Sequence, residues 1–233
     1  MEKKILVFAA TYNESENIEE FLKTILKLNI KLDILIIDDN SPDKTWEIVN
    51  RYKKSKKNIE LIKREEKEGL DTAHKLAFKY AKEKNYDYLI TLDADLSHDP
   101  SKIPDFLKEL KNNSFVIGSR YIKNGRNEMK LKRYLLSYIG NKIIKFFLGI
   151  NCNEFTSSYR GFNLNMLKNF DVNRVSSKGY SFFMETIYLI KSTGNDIKQV
   201  AIRFKDREKG DSKIPKIELF RTLKNLILLK LKS

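Results

Sequence analysis

Five short apolar runs, at residues 5–9, 32–37, 59–62, 88–92 and 115–117, recur along the chain with amphipathic stretches between them. Each run is too short for an ordinary helix and lacks the polar alternation of a half-exposed strand, so each predicts a strand buried on both faces. The intervening segments have helical spacing. Ile18, Phe21, Leu22, Ile25 and Leu26 mark the first, with Ser15 as its expected N-cap, further helices are expected over 46–52, 72–84 and 103–110, and a later stretch over 200–204 is strand-like. Strands alternating with helices fold into a mostly parallel, doubly wound α/β sheet flanked by helices. The 233 residues suit one such domain, and 41% apolar with 33% charged residues supplies a core without the bias of a disordered chain.

Ligands of such sheets bind beyond the carboxyl ends of the strands, and here those ends are strongly polar. The first run opens into Thr11-Tyr12-Asn13-Glu14, the second into Asp38-Asp39-Asn40-Ser41-Pro42-Asp43, and the fourth into Asp93-Ala94-Asp95-Leu96-Ser97-His98. No Gly-x-Gly-x-x-Gly and no Walker-type loop follows any of them, which argues against a dinucleotide oxidoreductase and a P-loop NTPase. The excess of 45 Lys and Arg over 31 Asp and Glu gives a net charge of +14, which suits a phosphate-bearing partner: a nucleotide, a nucleic acid or an anionic membrane face. Scattered acidic residues and the lack of any helix-turn-helix, zinc-ligand or RNP-like signature disfavour nucleic acid. The single Cys152 and the absence of a leader-like segment before residue 5 predict a cytoplasmic protein.

Asp93 and Asp95 close a buried apolar run, and like charges so close together need a counter-charge. A hard cation, Mg²⁺ or Mn²⁺, would supply it and bridge to a diphosphate. The competing reading makes one of the pair the cap of a helix starting near Ser101. Asp38-Asp39 divides the same way: a carboxylate there can accept from a ribose or a base edge, or it can close an Asx-turn with Asn40-Ser41-Pro42-Asp43.

These segments, together with Gly118-Ser119-Arg120-Tyr121, Thr156-Ser157-Ser158-Tyr159-Arg160, Asp206-Arg207 and Gly210-Asp211-Ser212-Lys213, resemble the ordered motif set of the dolichol-phosphate mannose synthases and related polyprenyl-phosphate hexosyltransferases of family-2 glycosyltransferases. The resemblance runs from about residue 4 to residue 213. It implies a GT-A fold, a nucleoside-diphosphate sugar donor with GDP-mannose favoured, a polyprenyl or dolichyl phosphate acceptor, and inversion at the anomeric carbon. Position by position, it implies that Tyr12, Glu14, Ile37 and Asp39 hold the nucleoside. Asp93, Ala94, Asp95 and Ser97 would surround metal and diphosphate, and Arg120, Arg133, Arg207 and Lys213 would meet phosphates. The chain departs from the family pattern at Ala10 (usually Pro), Asp71 (Gly), Ser97 (Gln), Ser158 (Gly) and Phe183 (Gln), and its motif opens on Glu154 as the acidic residue.

A lipid phosphate carries its own anionic oxygen near neutral pH, so such an acceptor needs cations rather than a base. A hydroxyl acceptor would instead require a base, for which Glu185 or an Asp near the cleft is the candidate; the plain alternative for Glu185 is a surface acid. A nucleotidyltransferase, a third reading, lacks its glycine-rich loop after the first strand. His98 is expected to position or cap, and His74 to be structural. Segment 131–150 mixes apolar residues with Lys132, Arg133, Lys142 and Lys145, and segment 214–233 reads as a basic amphipathic helix following the 1–213 catalytic domain. Neither has the ~20 uninterrupted apolar residues of a membrane span. Both predict a peripheral protein on the cytoplasmic face of a membrane or on a membrane-spanning partner.

Overall fold

The computed structural model describes residues 2–206 and 218–231. Nine strands and seven α-helices are found among them, in the order β1 (Ile5–Thr11), α1 (Ile18–Leu26), β2 (Asp33–Asp38), α2 (Thr45–Ser55), β3 (Ile59–Lys63), α3 (Leu70–Glu83), β4 (Tyr88–Thr91), α4 (Ile103–Leu110), β5 (Phe115–Ser119), β6 (Arg126–Asn127), α5 (Leu131–Leu148), β7 (Arg160–Asn163), α6 (Ser181–Ser192), β8 (Ile197–Ala201), β9 (Arg203–Phe204) and α7 (Glu218–Leu231). The five strands and four helices expected between residues 5 and 117 are all present.

The main sheet runs β3-β2-β1-β4-β7-β5-β8, parallel except for β7, which is antiparallel to both β4 and β5. Side chains alternate across it, as the two-residue period of a strand requires. Leu6, Phe8, Leu35 and Ile37 pack with Ala77 and Phe78 of α3 and Phe182 and Ile187 of α6. Ile5, Val7, Ala9, Ile34 and Ile36 pack with Phe21 and Leu22 of α1 and Phe106 and Leu110 of α4. Burying each such large side chain contributes about 1.5–3 kcal/mol. Strand β7 can lie under α4 because Gly161 has no side chain: a Cβ there would stand 2.9 Å from Leu110.

Three local expectations are corrected. Helix α1 begins after Asn17, not Ser15, because the Glu14 carbonyl accepts from both Asn17 N and Ile18 N while Ser15 N donates to Asp43 Oδ2 at 2.9 Å. The cap near Ser101 is Asp99, whose carboxylate accepts from Ser101 N, so neither Asp93 nor Asp95 is spent there. The strand read over 200–204 is two strands. The chain leaves the main sheet at Ile202, whose carbonyl accepts from Arg126 N, and pairs β9 with β6. Helix α5 covers most of segment 131–150, and α7 packs on α5 and α6 with Leu226 and Leu229 in the core.

Candidate active site

The carboxyl ends of β1, β2 and β4 converge. Asp38 and Asp39 divide the two roles left open for them. Asp38 is fully buried and accepts from Thr11 Oγ1, Ser41 N and Ser41 Oγ at 2.7–2.8 Å, so it closes the turn. Asp39 faces a cavity, and it holds the β3–α3 loop at both ends, accepting from Arg64 at 2.7 Å and from Gly69 N at 3.0 Å.

That cavity, of about 350 Å³, is lined by Tyr12, Glu14, Asp39, Asp93, Ala94 and Asp95 from the strand ends and by Lys67, Lys178, Tyr180 and Arg221 from elsewhere. Six of the residues named in advance therefore meet around one space. Ile37 does not: it is fully buried and its side chain belongs to the core. Arg207 and Lys213 lie outside the described residues.

Asp95 is buried and accepts from Ser97 N at 3.0 Å across a tight turn in which Leu96 takes a φ of 61°. A leucine in that left-handed region costs about 1–3 kcal/mol, and such strain collects where function fixes the backbone. Asp93 is more open, with 39% of its side chain exposed. Ser97 Oγ and His98 Nδ1 are buried without a hydrogen-bond partner among the described residues. Two carboxylates and an unsatisfied hydroxyl make a hard-oxygen donor set of the kind Mg²⁺ and Mn²⁺ use. Among the described residues no three acidic, His or Cys side chains form a complete cage, so such a cation would take the rest of its shell from phosphate and water. The residues fit the metal.

A second cavity of about 350 Å³ shares Asp93 and Asp95 with the first. It is lined by Arg120, Thr156, Ser157 and Ser158 and, from α5, by Arg133, Leu136, Gly140 and Ile144. Arg120 forms a two-pronged ion pair with buried Glu154, at 2.7 and 2.9 Å. Burial alone would raise the Glu154 pKa, yet the Arg120 charge and its hydrogen bonds outweigh this, and the carboxyl sits below its usual range. Burial likewise works against the Arg120 cation, and Glu154 more than compensates. Arg133 pairs with Asp206 in a half-exposed contact. Behind this wall, Arg160 donates to the carbonyls of Phe155, Ser157 and Phe183, and burial lowers its pKa to about 9.

Segment 175–180 separates the cavities, with Tyr180 lining both. It is fastened by Lys75 to the Val175 carbonyl, by Asp71 Oδ1 to Gly179 N, and by Glu185, which accepts from Ser176 N, Ser176 Oγ and Ser177 N. Gly179 has a φ of 60°, a conformation that favours glycine. Glu185 is thus a buried anchor that lines neither cavity; it is neither a surface acid nor placed as a base. Burial also lowers the His98 pKa to about 4 and the His74 pKa to about 3, and raises that of Cys152 to about 11. His74 sits among Phe8, Phe182 and Phe183, in the structural role expected of it. Sequence reasoning missed Lys67, Lys178, Tyr180, Arg221 and Thr222, none of which stands in a strand-end motif.

The model of the family described as "Glycosyl transferase family 2" matches residues 6–170. The chain belongs to that family. This glycosyltransferase is 31% identical over 212 residues to the undecaprenyl-phosphate mannosyltransferase of Micrococcus luteus, covering 91% of this chain and 87% of that protein. It is also 31% identical over 231 residues to the dolichol-phosphate mannosyltransferase of Pyrococcus furiosus, covering 96% of this chain and 62% of the longer relative. Among solved structures, glucosyl-3-phosphoglycerate synthase of Mycobacterium tuberculosis in complex with UDP superposes with a TM-score of 0.68 at 16% identity, over 99% of this chain and 79% of that one. A mannosyltransferase of Pyrobaculum calidifontis in complex with GDP-Man and Mn²⁺ gives 0.60 at 17% identity, over 98% and 64%. The architecture is the GT-A fold expected from the motifs.

Proposed function

We propose that this glycosyltransferase moves mannose from GDP-mannose onto the phosphate of a polyprenol, with inversion, at a membrane surface. The observation that carries the reading is the composition of the second cavity. One space joins the Asp93 and Asp95 carboxylates, the Arg120 and Arg133 cations and the apolar side of α5, as a phosphate head on an isoprenoid tail requires. The relatives from Micrococcus luteus and Pyrococcus furiosus, named for lipid-phosphate mannosyl transfer, support the same class of acceptor.

In this reading the nucleoside lies against Tyr12, Glu14 and Asp39, and its diphosphate reaches Asp93 and Asp95. A bound Mg²⁺ or Mn²⁺ would supply positive charge for the departing diphosphate. The acceptor phosphate sits across the same carboxylates, and one of its oxygens attacks the anomeric carbon from the face opposite the leaving group. Arg120, held in place by Glu154, is a fixed positive wall. Arg133 exchanges Asp206 for the phosphate, at low cost because half-exposed ion pairs contribute only about 0–1 kcal/mol. No side chain needs to remove a proton, and the engagement of Glu185 in segment 175–180 weighs against the hydroxyl-acceptor alternative.

Helix α5 supports the membrane part of the proposal. From Leu136 and Ile144 in the cavity, its surface continues to exposed Leu131, Leu135, Ile139, Phe146 and Phe147, beside Ile227, Leu228 and Leu231 of α7. Lys132, Lys142 and Lys224 are exposed on the same two helices. An apolar strip bordered by cations suits insertion to headgroup depth in an anionic leaflet. No helix among the described residues is long and apolar enough to cross a membrane. The test is incubation with labelled GDP-mannose, polyprenyl phosphate and Mn²⁺ or Mg²⁺, followed by solvent extraction. Label should enter the lipid phase, and EDTA should abolish it. Label transfer that is indifferent to EDTA, or none from any mannosyl donor, would contradict the assignment.

A further inference from the structure

His98 follows the Asp93–Asp95 motif and is almost wholly buried, with its ring wedged between Tyr159 and Phe204, at centroid distances of 5.5 and 5.4 Å. The ring is held from the backbone as well. His98 forms an isolated antiparallel bridge with Phe204, and Lys205 N donates to the Ser97 carbonyl at 3.2 Å. Such bracing fixes where each ring nitrogen points. Nε2 stands 3.5 Å from Ser157 Oγ, and Nδ1 stands 3.5 Å from Asp93 Oδ2 without forming a hydrogen bond to it.

The Ser157 hydroxyl is the group that can set which nitrogen carries the proton. Its oxygen accepts from Tyr159 N at 3.2 Å, and in the inferred arrangement its own proton is given to Nε2. A neutral imidazole that accepts at Nε2 must donate at Nδ1. Among the described residues, the carboxylate beside the buried N–H that results is that of Asp93, whose side chain is more exposed than that of Asp95.

We propose that His98 is a positioning residue for Asp93: its Nδ1–H, fixed by Ser157, closes onto Oδ2 when the site is loaded and turns the other carboxylate oxygen toward the cation. The inference rests on the metal reading of Asp93 and Asp95. It assigns to His98 a hydrogen bond to a ligand in place of ligation, since a nitrogen that holds a proton has no lone pair for a metal. Outer hydrogen bonds of this kind fix ligand orientation, and losing one costs about 10–100-fold in metal affinity.

The two carboxamide residues separate the nitrogens. The amide nitrogen of asparagine branches from Cγ, as Nδ1 does, whereas that of glutamine lies one bond further out, as Nε2 does. Mn²⁺ affinity is measured by the electron paramagnetic resonance signal of free Mn²⁺ in the presence of GDP, with thermal melts alongside, for the full chain and for His98→Asn, His98→Gln, Ser157→Ala and Asp95→Asn. His98→Asn should bind Mn²⁺ within about threefold of the parent, His98→Gln about 10–100-fold more weakly, and Ser157→Ala about 3–10-fold more weakly. Equal weakening in the Asn and Gln variants would assign His98 a ligand or a purely structural role and overturn the proposal. Parent-like affinity in both His98 variants, with Asp95→Asn impaired, would overturn it while leaving the metal reading intact. If Asp95→Asn bound Mn²⁺ as the parent does, the metal reading itself would fail and this inference with it. Should His98→Gln not fold, Ser157→Ala decides alone, and unchanged affinity there refutes the tautomer argument.

Discussion

The two cavities share Asp93 and Asp95, but their walls are held in different ways. The side proposed for the donor is made of strand-end loops pinned by hydrogen bonds between neighbours in the parallel sheet: Asp38 to Thr11 and Ser41, Asp39 to Arg64 and Gly69, and Ser15 to Asp43. The side proposed for the acceptor is made of one buried ion pair, Arg120 with Glu154, and helix α5, which carries exposed apolar residues. The contrast follows from what each must hold. A nucleotide has many polar atoms at fixed spacing and rewards a preorganised wall, whereas a polyprenyl phosphate offers one anionic head and a featureless tail. Rigidity on the donor side and a charge at the mouth of an oily surface on the acceptor side are the two solutions.

The sharpest way to break this comparison is to remove the charge that fixes the acceptor wall. Glu154→Gln leaves Arg120 buried without its carboxylate, and breaking a buried pair costs about 3–5 kcal/mol. The melting temperature should fall by several degrees, with the largest loss of hydrogen-exchange protection at residues 154–158. A loss spread evenly over the donor loops would mean the two halves are not separately braced. Next comes the shared element. Asp95→Asn should lower kcat by about 10²–10³-fold, the usual cost of one preorganised electrostatic group, while the melt is nearly unchanged. Arg133→Ala should be milder and one-sided. A charge-assisted contact is worth about 1.5–3 kcal/mol, so acceptor kcat/KM should drop by roughly 10–100-fold at an unaltered KM for the donor. An equal rise in both KM values would place Arg133 on donor and acceptor alike.

The same division governs how much could be read from the sequence. Donor-side residues are legible because the chain presents them in order: an apolar run, then carboxylates and turn formers, at 38–43 and again at 93–98. The rest is tertiary. Strand β7, Arg-Gly-Phe-Asn, has no apolar run to announce it and is a strand only because β4 and β5 offer their edges. Glu154 lies 34 residues from Arg120, and no spacing rule joins them. Lys67, Lys178 and Arg221 enter the donor cavity from two loops and a helix that meet only when folded. Glu185 looked like a surface acid because its hydrogen-bond partners, Ser176 and Ser177, precede the helix and turn back onto it. Segment 131–150 was legible as an apolar helix studded with cations; its place beside Asp93 and Asp95 was not.

What binds these observations together is the claim that the acceptor brings its own nucleophilic charge, so the site supplies cations and no base. The direct measurement is a side-by-side transfer assay with GDP-mannose and Mn²⁺, using a polyprenyl phosphate and the free polyprenol of the same length in identical detergent. The phosphate should be mannosylated and the alcohol should give no product above background. Comparable turnover of the alcohol would require a side chain of the site to act as a base, and would contradict the account.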